Sequence, residues 1–376
     1  MTEKRRKLAE DEKFMQFALR MAVKGAGCVS PNPMVGAIAV KDGKVLAKAY
    51  HKRFGDMHAE TSLLSKLAPQ QANGATIYVN LEPCCHHGKT APCTSALISA
   101  GVKRVVIAQQ DPNPLVNGKG MEQLRNAGID VLCGVCESEA RRLNAPFNTF
   151  ITAGRPWILL KVAQSIDGRI ALANGQSRWI TGESSRTEVH RIRTRLDAVL
   201  VGVQTIIDDD PELNVRLAKG RNPIRVIADS RLRIPESSRV LAHKDKKRTW
   251  ILTTDGVDDK KIGRLKKAGV SVIVCAAAPN GRVDFNDALR RLAELNVASI
   301  LVEGGGTIHA ALLSENLWDE LIVAIAPIII GSEGRPGIGE LNLTLLENAP
   351  RFKVHKTEQF EEDYWFYLER NVYGNC

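Results

Sequence analysis

Apolar residues recur at helical spacing over residues 13–26, where Met15, Leu19, Ala22 and Val23 fall on one stripe. The pattern then changes to strand-like segments at Met34–Val40 and Lys44–Tyr50. Asp42-Gly43 between them predicts a hairpin, because both positions accept positive φ. Helices are expected from His58 to Leu67, from about Pro92 to Ala100 and up to Ala127 before Gly128, with strands at Thr76–Asn80, Val105–Ala108 and Ile129–Leu132. A helix from Ser138 to about Ile151 runs into Ala153-Gly154-Arg155-Pro156, a stop signal that places a domain boundary between 1–153 and 154–376. The second part restarts with strand Trp157–Ala163. Strands at Ala198–Val203, Ile224–Ala228, Trp250–Thr253, Ser271–Cys275 and Ser299–Val302 follow, with helices at Ser184–Leu196, Lys260–Lys267 and Asp284–Leu295. This alternation predicts layered α/β domains, the first of them three-layered, without internal repeats.

The length of 376 residues fits about two domains, and 44% hydrophobic with 25% charged residues is ordinary globular composition. The formal charge of +10 is either a solvated basic surface or a sign that the protein handles anions. Lys4-Arg5-Arg6-Lys7 is followed at once by Glu10, Asp11 and Glu12, so it reads as a charged lead-in to a helix rather than a nucleic-acid arm. No apolar segment follows it as in a secretory signal, and the longest apolar run, Leu321 to Ile330, is too short to span a bilayer and contains Pro327. A soluble, cytoplasmic protein is expected. Eight cysteines in such a chain point to metal binding or free thiols rather than a disulfide framework.

The strongest chemical signal is His58-Ala59-Glu60, followed by Pro83-Cys84 and then Cys93. This order fits a zinc deaminase: one imidazole and two thiolates hold the metal, and a fourth position is left for water. The metal makes that water acidic, and Glu60, which is not a ligand, can move its proton to the ring nitrogen and the departing amine. Alone, His-x-Glu would be no more than a solvated helix start. Cys85, His86 and His87 are also chemically acceptable ligands, but adjacent cysteines rarely face one metal, which favours Cys84 over Cys85. Cys133-Gly134-Val135-Cys136 has half-site spacing without a partner pair and is read as two small residues at a strand end.

Eight residues separate Cys84 from Cys93, and the run Pro83-Cys84-Cys85-His86-His87-Gly88-Lys89-Thr90-Ala91-Pro92-Cys93 resembles the pyrimidine deaminases of riboflavin biosynthesis. So do Pro31-Asn32-Pro33-Met34-Val35-Gly36 and Gln110-Asp111-Pro112-Asn113-Pro114, and the resemblance continues over nearly the whole chain. Cys85 stands where Ser is common, and Ser30 where Thr or His is frequent. The resemblance implies a cytidine-deaminase-like α/β/α domain followed by a dihydrofolate-reductase-like α/β domain. It implies deamination of a diaminopyrimidinone carrying a ribosyl 5-phosphate, then NADPH-dependent reduction of the ribose to a ribityl chain. Asn32 and His51 would contact the pyrimidine substrate, and Lys89 and Thr90 would lie near its phosphate, where an ammonium, a hydroxyl and free N–H groups suit an anion.

In the second part, Lys161-Val162-Ala163-Gln164-Ser165-Ile166-Asp167-Gly168 resembles the start of the family's reductase domain. Glu303-Gly304-Gly305-Gly306-Thr307 follows a strand and opens a helix, which suits a dinucleotide phosphate. No G-x-G-x-x-G follows the domain's first strand, which excludes the usual Rossmann arrangement. By resemblance Ala163, Trp179, Thr205, Asp209, Ser230 and the stretch Gly305, Gly306, Thr307, Ile308, His309, Ala310 and Ala311 contact NADPH. Ser177, Arg193, Leu213, Arg216 and Glu303 contact the sugar phosphate, and Lys161 and Glu303 are the polar groups expected near the reacting sugar carbon. Asp229-Ser230-Arg231-Leu232-Arg233 after a strand suits a 2′-phosphate, so NADPH is expected over NADH, with Asp229 turned inward.

Two rivals remain open at this level. A nucleic-acid deaminase with a C-terminal RNA-binding domain fits the charge but not the long inter-cysteine loop, the glycine-rich nucleotide loop or the 5% aromatic content. A structural zinc protein with a nucleotide-sensing domain does not explain Glu60. Phosphorylated small molecules are therefore the expected partners, with no nucleic acid, no membrane and self-association as an option.

Overall fold

The computed structural model describes residues 3–86, 91–242 and 245–370. The chain divides into two compact units, Met1–Gly154 and Arg155–Cys376. Among the described residues no helix is long and apolar enough to cross a membrane.

The first unit runs α1 (Glu3–Ala22), β1 (Gly36–Lys41), β2 (Lys44–Tyr50), α2 (Ala59–Leu64), α3 (Pro69–Ala72), β3 (Thr76–Leu81) and α4 (Cys93–Ser99), then β4 (Arg104–Gln109), α5 (Lys119–Asn126), β5 (Asp130–Cys133), α6 (Glu137–Leu143) and α7 (Ala145–Ala153). Its sheet has the order β2-β1-β3-β4-β5, antiparallel among β2, β1 and β3 and parallel from β3 to β5. Strand alternation sorts the core into two layers. Ala37, Ala39, Ile77, Val79, Val105 and Ile107 face Leu63, Leu97, Met121 and Leu124 of α2, α4 and α5. Ile38, Val40, Tyr78, Val106 and Ala108 face Phe14, Met15, Ala18 and Leu19 of α1. Gly36 permits the close approach of α1, since a Cβ there would lie 2.2 Å from the Ala18 carbonyl oxygen.

Strand ends shift by one or two residues, and three helices differ more from the sequence pattern. The charged lead-in is itself helical from Glu3. The helix beginning at His58 stops at Leu64. The expected single helix from Ser138 to Ile151 is two, because Asn144 leaves helical geometry (φ −101°, ψ 20°) and Pro146 opens the next helix. Asn144 instead uses its side chain on the chain before β1, accepting from Met34 N–H (2.8 Å) and donating to Met34 O (3.1 Å).

The second unit continues with β6 (Trp157–Ser165), β7 (Arg169–Ala171), α8 (Glu183–Arg195), β8 (Ala198–Gly202), α9 (Val203–Asp209), β9 (Ile224–Ala228), α10 (Arg239–Ala242), β10 (Thr249–Thr253), α11 (Asp259–Lys267) and β11 (Ser271–Val274). α12 (Phe285–Glu294), β12 (Ser299–Val302), α13 (Gly306–Ser314), β13 (Glu320–Ala326), β14 (Arg335–Pro336), β15 (Phe352–Phe360) and β16 (Asp363–Arg370) complete it. Nine strands form one sheet, β11-β10-β9-β8-β12-β6-β13-β16-β15, parallel except at β16 and its two neighbours. Ile158, Leu160, Leu200, Ile300 and Val302 pack on α12 and α13 through Leu289, Leu292, Ile308 and Leu312. Val199, Val201, Ile227 and Ile251 pack on the opposite side against Ile206, Val240 and Leu265. The C-terminal ends of β8, β9 and β12 release the chain into α9, the 229–234 turn and the glycine loop, where a cofactor lies in open parallel sheets.

Candidate active sites

In the first unit the turn before α2, the loop after β3 and the start of α4 bring three ligand atoms together. His58 caps α2 in extended geometry, and Cys93 is the first residue of α4. His58 Nδ1 lies 3.5 Å from Cys84 Sγ and 3.3 Å from Cys93 Sγ. Zinc held by an imidazole nitrogen and two thiolates at ordinary bond lengths keeps its ligand atoms about 3.5 Å apart, so the donor set fits the ion in both chemistry and spacing. Cys85 is not in this group; its Sγ is directed at the Leu115 carbonyl, 3.9 Å away. The Cys93 thiol beside it holds the Cys84 thiol down at about 4, with His58 assisting and burial opposing, while Cys93 itself is pushed up.

Glu60, 3% exposed, lies at a cavity of about 330 Å³ with His58 and Cys84. Burial raises its pKa to about 7, with the Cys84 charge adding and His58 opposing. Asn32 and His51 line the same cavity. His51 Nδ1 lies 3.1 Å from the Met57 carbonyl, which can only accept, so Nδ1 carries the proton and Nε2 accepts from Asn32 Nδ2 at 3.3 Å. Burial lowers the His51 pKa and keeps this neutral form. The cavity wall also includes Asp111, Asn113 and Phe147, to which the sequence reading gave no role. Lys89 and Thr90 lie outside the described residues.

Glu82 is a further residue of this site. Its buried carboxylate accepts from four backbone N–H groups: Asp111 (3.2 Å), Gly118 (2.9 Å), Gly120 (2.9 Å) and Met121 (3.1 Å). It thereby ties the ligand strand to the start of α5, and Gly120 packs so closely that a Cβ would lie 2.2 Å from Pro83 O. An acid directly before Pro83-Cys84 in an otherwise apolar strand end was the available signal.

In the second unit Arg193 and Glu303, expected as separate substrate contacts, are paired through two hydrogen bonds of 2.6 and 2.9 Å, and Arg193 also holds Asn214 O at 2.8 Å. Both side chains are only 11–12% exposed. The half-buried Lys161 faces this pair; burial lowers its pKa, Glu303 opposes and Arg193 adds to the lowering. Ser177 and Asp209 are joined by a 2.8 Å hydrogen bond at an opening of about 480 Å³. Arg216 is exposed, with its backbone N–H on His190 Nδ1 at 3.2 Å. Leu213 is buried at φ +51°. Trp179 is 60% exposed, with the Arg186 guanidinium 4.3 Å from its ring centre.

Ser230, Thr307, Ile308 and Ala311 line a second cavity of about 540 Å³, with Arg231 and Arg233. Gly305 and Gly306 precede Thr307 at the start of α13, where the first N–H groups have no intrahelical acceptor and suit a phosphate. The expected run of contacts does not fall on one face. His309 and Ala310 are buried, and His309 Nδ1 lies 3.0 Å from Gly337 O, because a helix presents only part of its circumference to a cavity. Thr205 on α9 and Ala163 on β6 line neither opening. Asp229 is turned inward and accepts from Ile234 N–H at 2.7 Å.

The two units thus define a protein with a zinc deaminase centre in one fold and a dinucleotide-binding reductase centre in another. Residues 8–109 match the cytidine and deoxycytidylate deaminase zinc-binding region, and residues 156–366 match the RibD C-terminal domain. Riboflavin biosynthesis protein RibD of Aquifex aeolicus is 43% identical over 96% of this chain and 98% of its own length. The structure of Acinetobacter baumannii RibD is similar at a TM-score of 0.86, with 36% identity, 96% of this chain and 99% of that chain. A Thermotoga maritima structure described as a diaminohydroxyphosphoribosylaminopyrimidine deaminase/5-amino-6-(5-phosphoribosylamino)uracil reductase is similar at 0.83, with 36% identity over 96% of this chain and 99% of that one. The chain belongs to the RibD family. It is a bifunctional enzyme of riboflavin biosynthesis, a zinc-dependent deaminase joined to an NADPH-dependent reductase.

Proposed function

We propose that residues 1–153 deaminate the diaminopyrimidinone ribosyl phosphate and that residues 154–376 reduce the ribosyl group of the resulting uracil to a ribityl chain. The observation that carries the first step is Glu60 beside the His58, Cys84 and Cys93 ligand set, in a cavity that Asn32 and His51 also line. Zinc, when bound, supplies the charge that makes water acidic enough to attack a ring carbon near neutral pH. Glu60 takes a proton from that water and delivers it to the ring nitrogen and the leaving amine. Asn32 and the neutral His51 hold the pyrimidine edge, and Lys89 and Thr90 hold its phosphate.

NADPH, when bound, supplies hydride to the sugar carbon. Gly305, Gly306 and Thr307 offer N–H groups to its phosphates at the start of α13; Ile308 and Ala311 border the adenosine side. Lys161, whose pKa burial lowers, is the better of the two candidates to give a proton to the sugar oxygen, because Glu303 is engaged by Arg193. Arg216, exposed and without an ion pair among the described residues, holds the sugar phosphate near Ser177 and Leu213. The partners are phosphorylated pyrimidines in a cytoplasmic enzyme that does not act on nucleic acid. The test is incubation of the purified protein with the diaminopyrimidinone ribosyl phosphate and NADPH. Ammonia release followed by NADPH oxidation is expected; NADPH oxidation without ammonia, or neither, would contradict the order of steps or the substrate.

A further inference from the structure

Residues 210–223, between α9 and β9, form no helix or strand, so their path is set by anchors elsewhere in the chain. Leu213, at φ +51°, is buried in the core layer of Val199, Val201 and Ile206. Arg193 of α8 donates to Asn214 O at 2.8 Å, and Asn222 Oδ1 accepts Val215 N–H at 2.8 Å. The next N–H, that of Arg216, goes to Nδ1 of His190 at 3.2 Å. His190 is 4% exposed and lies one turn before Arg193, so α8 grips the segment at two successive turns. A ring nitrogen that accepts carries no proton, which makes the His190 ring neutral with its hydrogen on Nε2. Burial, then Arg193 and Arg216, favour that form, and Glu303 opposes it.

The Arg216 side chain is exposed. Among the described residues its guanidinium holds no ion pair and reaches Asn214 Oδ1 at 3.5 Å, while the nearby Glu212 is already paired with Arg239. A long cationic side chain on an unanchored backbone loses more freedom when it takes an anion than one whose backbone is already fixed. We propose that His190 is a positioning residue of the reductase: by taking the Arg216 N–H, it fixes the backbone from which the Arg216 guanidinium holds the sugar phosphate of the substrate. This rests on the placement of that phosphate at Arg216. His190 acts through Arg216 and not on the reacting carbon, so its effect belongs to substrate binding and requires the phosphate.

Steady-state reduction by the full-length protein at saturating NADPH tests this, with the deaminated ribosyl phosphate and the same compound without its phosphate as substrates. His190→Gln moves the amide away from the Nδ1 position. It is expected to raise KM for the phosphorylated substrate about tenfold with kcat unchanged, and to leave kcat/KM for the dephosphorylated one as it was. His190→Asn puts Oδ1 where Nδ1 stands and should restore most of the KM. Arg216→Gln should raise KM by itself, and adding His190→Gln to it should change nothing more, because the group through which His190 acts is gone. Equal losses on the two substrates, a fall in kcat alone, or additive effects in the double variant would overturn the role of His190. A tenfold KM rise in His190→Asn would do so too, and that variant carries the test if His190→Gln does not fold. An unmoved KM in Arg216→Gln would overturn the placement of the phosphate itself, and the proposal with it.

Discussion

Glu60 and Cys85 show how one residue position separates chemistry from packing. Glu60 is beside the ligands without being one, so Glu60→Gln is expected to reduce ammonia release at least 100-fold, a typical general acid–base contribution, while zinc content stays at one per chain. NADPH oxidation with the deaminated substrate should be unchanged, because Glu60 belongs to the other unit. Substantial residual deamination would remove Glu60 from the mechanism. The cysteines allow a metal analysis: Cys84→Ser and Cys93→Ser should each lose zinc, and Cys85→Ser should retain it, given that only the first two approach His58 Nδ1. The residue types for this centre could be read from the chain because the ligands sit at strand and helix ends within a short span. Which of two adjacent cysteines turns toward the metal depends on the loop's path, which no pattern of apolar positions encodes.

At the level of elements, the start of α5 and the middle of α8 are each tied to a distant loop by a side chain that the periodicity does not single out. Glu82 satisfies three N–H groups at the start of α5, and Glu82→Ala would leave buried donors without acceptors. A loss of roughly 3 kcal/mol or more in urea unfolding of the zinc-loaded protein is expected, with Glu82→Gln intermediate because it keeps one acceptor oxygen. On α8, His190 accepts Arg216 N–H with Nδ1, and Arg193 one turn later donates to Asn214 O. Burial, then Arg193 and Arg216, lower the His190 pKa to about 4, with Glu303 opposing. From its ordinary value near 6.5 down to about 4 the unfolded chain binds a proton that the folded chain excludes. His190 therefore contributes stability above pH 6.5 that is lost as pH falls through this window. His190→Gln should destabilise the protein more at pH 7 than at pH 5; an equal effect at both would show that His190 is not held neutral.

For the whole molecule, the division after Gly154 predicts that a fragment ending at Ala153 folds, binds zinc and releases ammonia from the diaminopyrimidinone substrate. A well-folded, zinc-loaded fragment without activity would show that the second unit completes the first site. By itself the sequence determined the α/β character of both halves, most strand positions, the stop at Gly154 and the metal-binding residue types. These follow from alternation, turn chemistry and short spacings, which are local. The tertiary structure decided what depends on partners distant in the chain. It paired Arg193 with Glu303 across 110 residues, broke the helix at Asn144 for the sake of Met34, and buried His309 while leaving Thr307 at a cavity. It also placed Arg282 at the same cavity as Arg231 and Arg233. Periodicity specifies which face of an element is apolar. It does not specify which charge stands opposite, because that is set by sheet order and by the crossings between strands, and these fix the pairings only when the whole chain has packed.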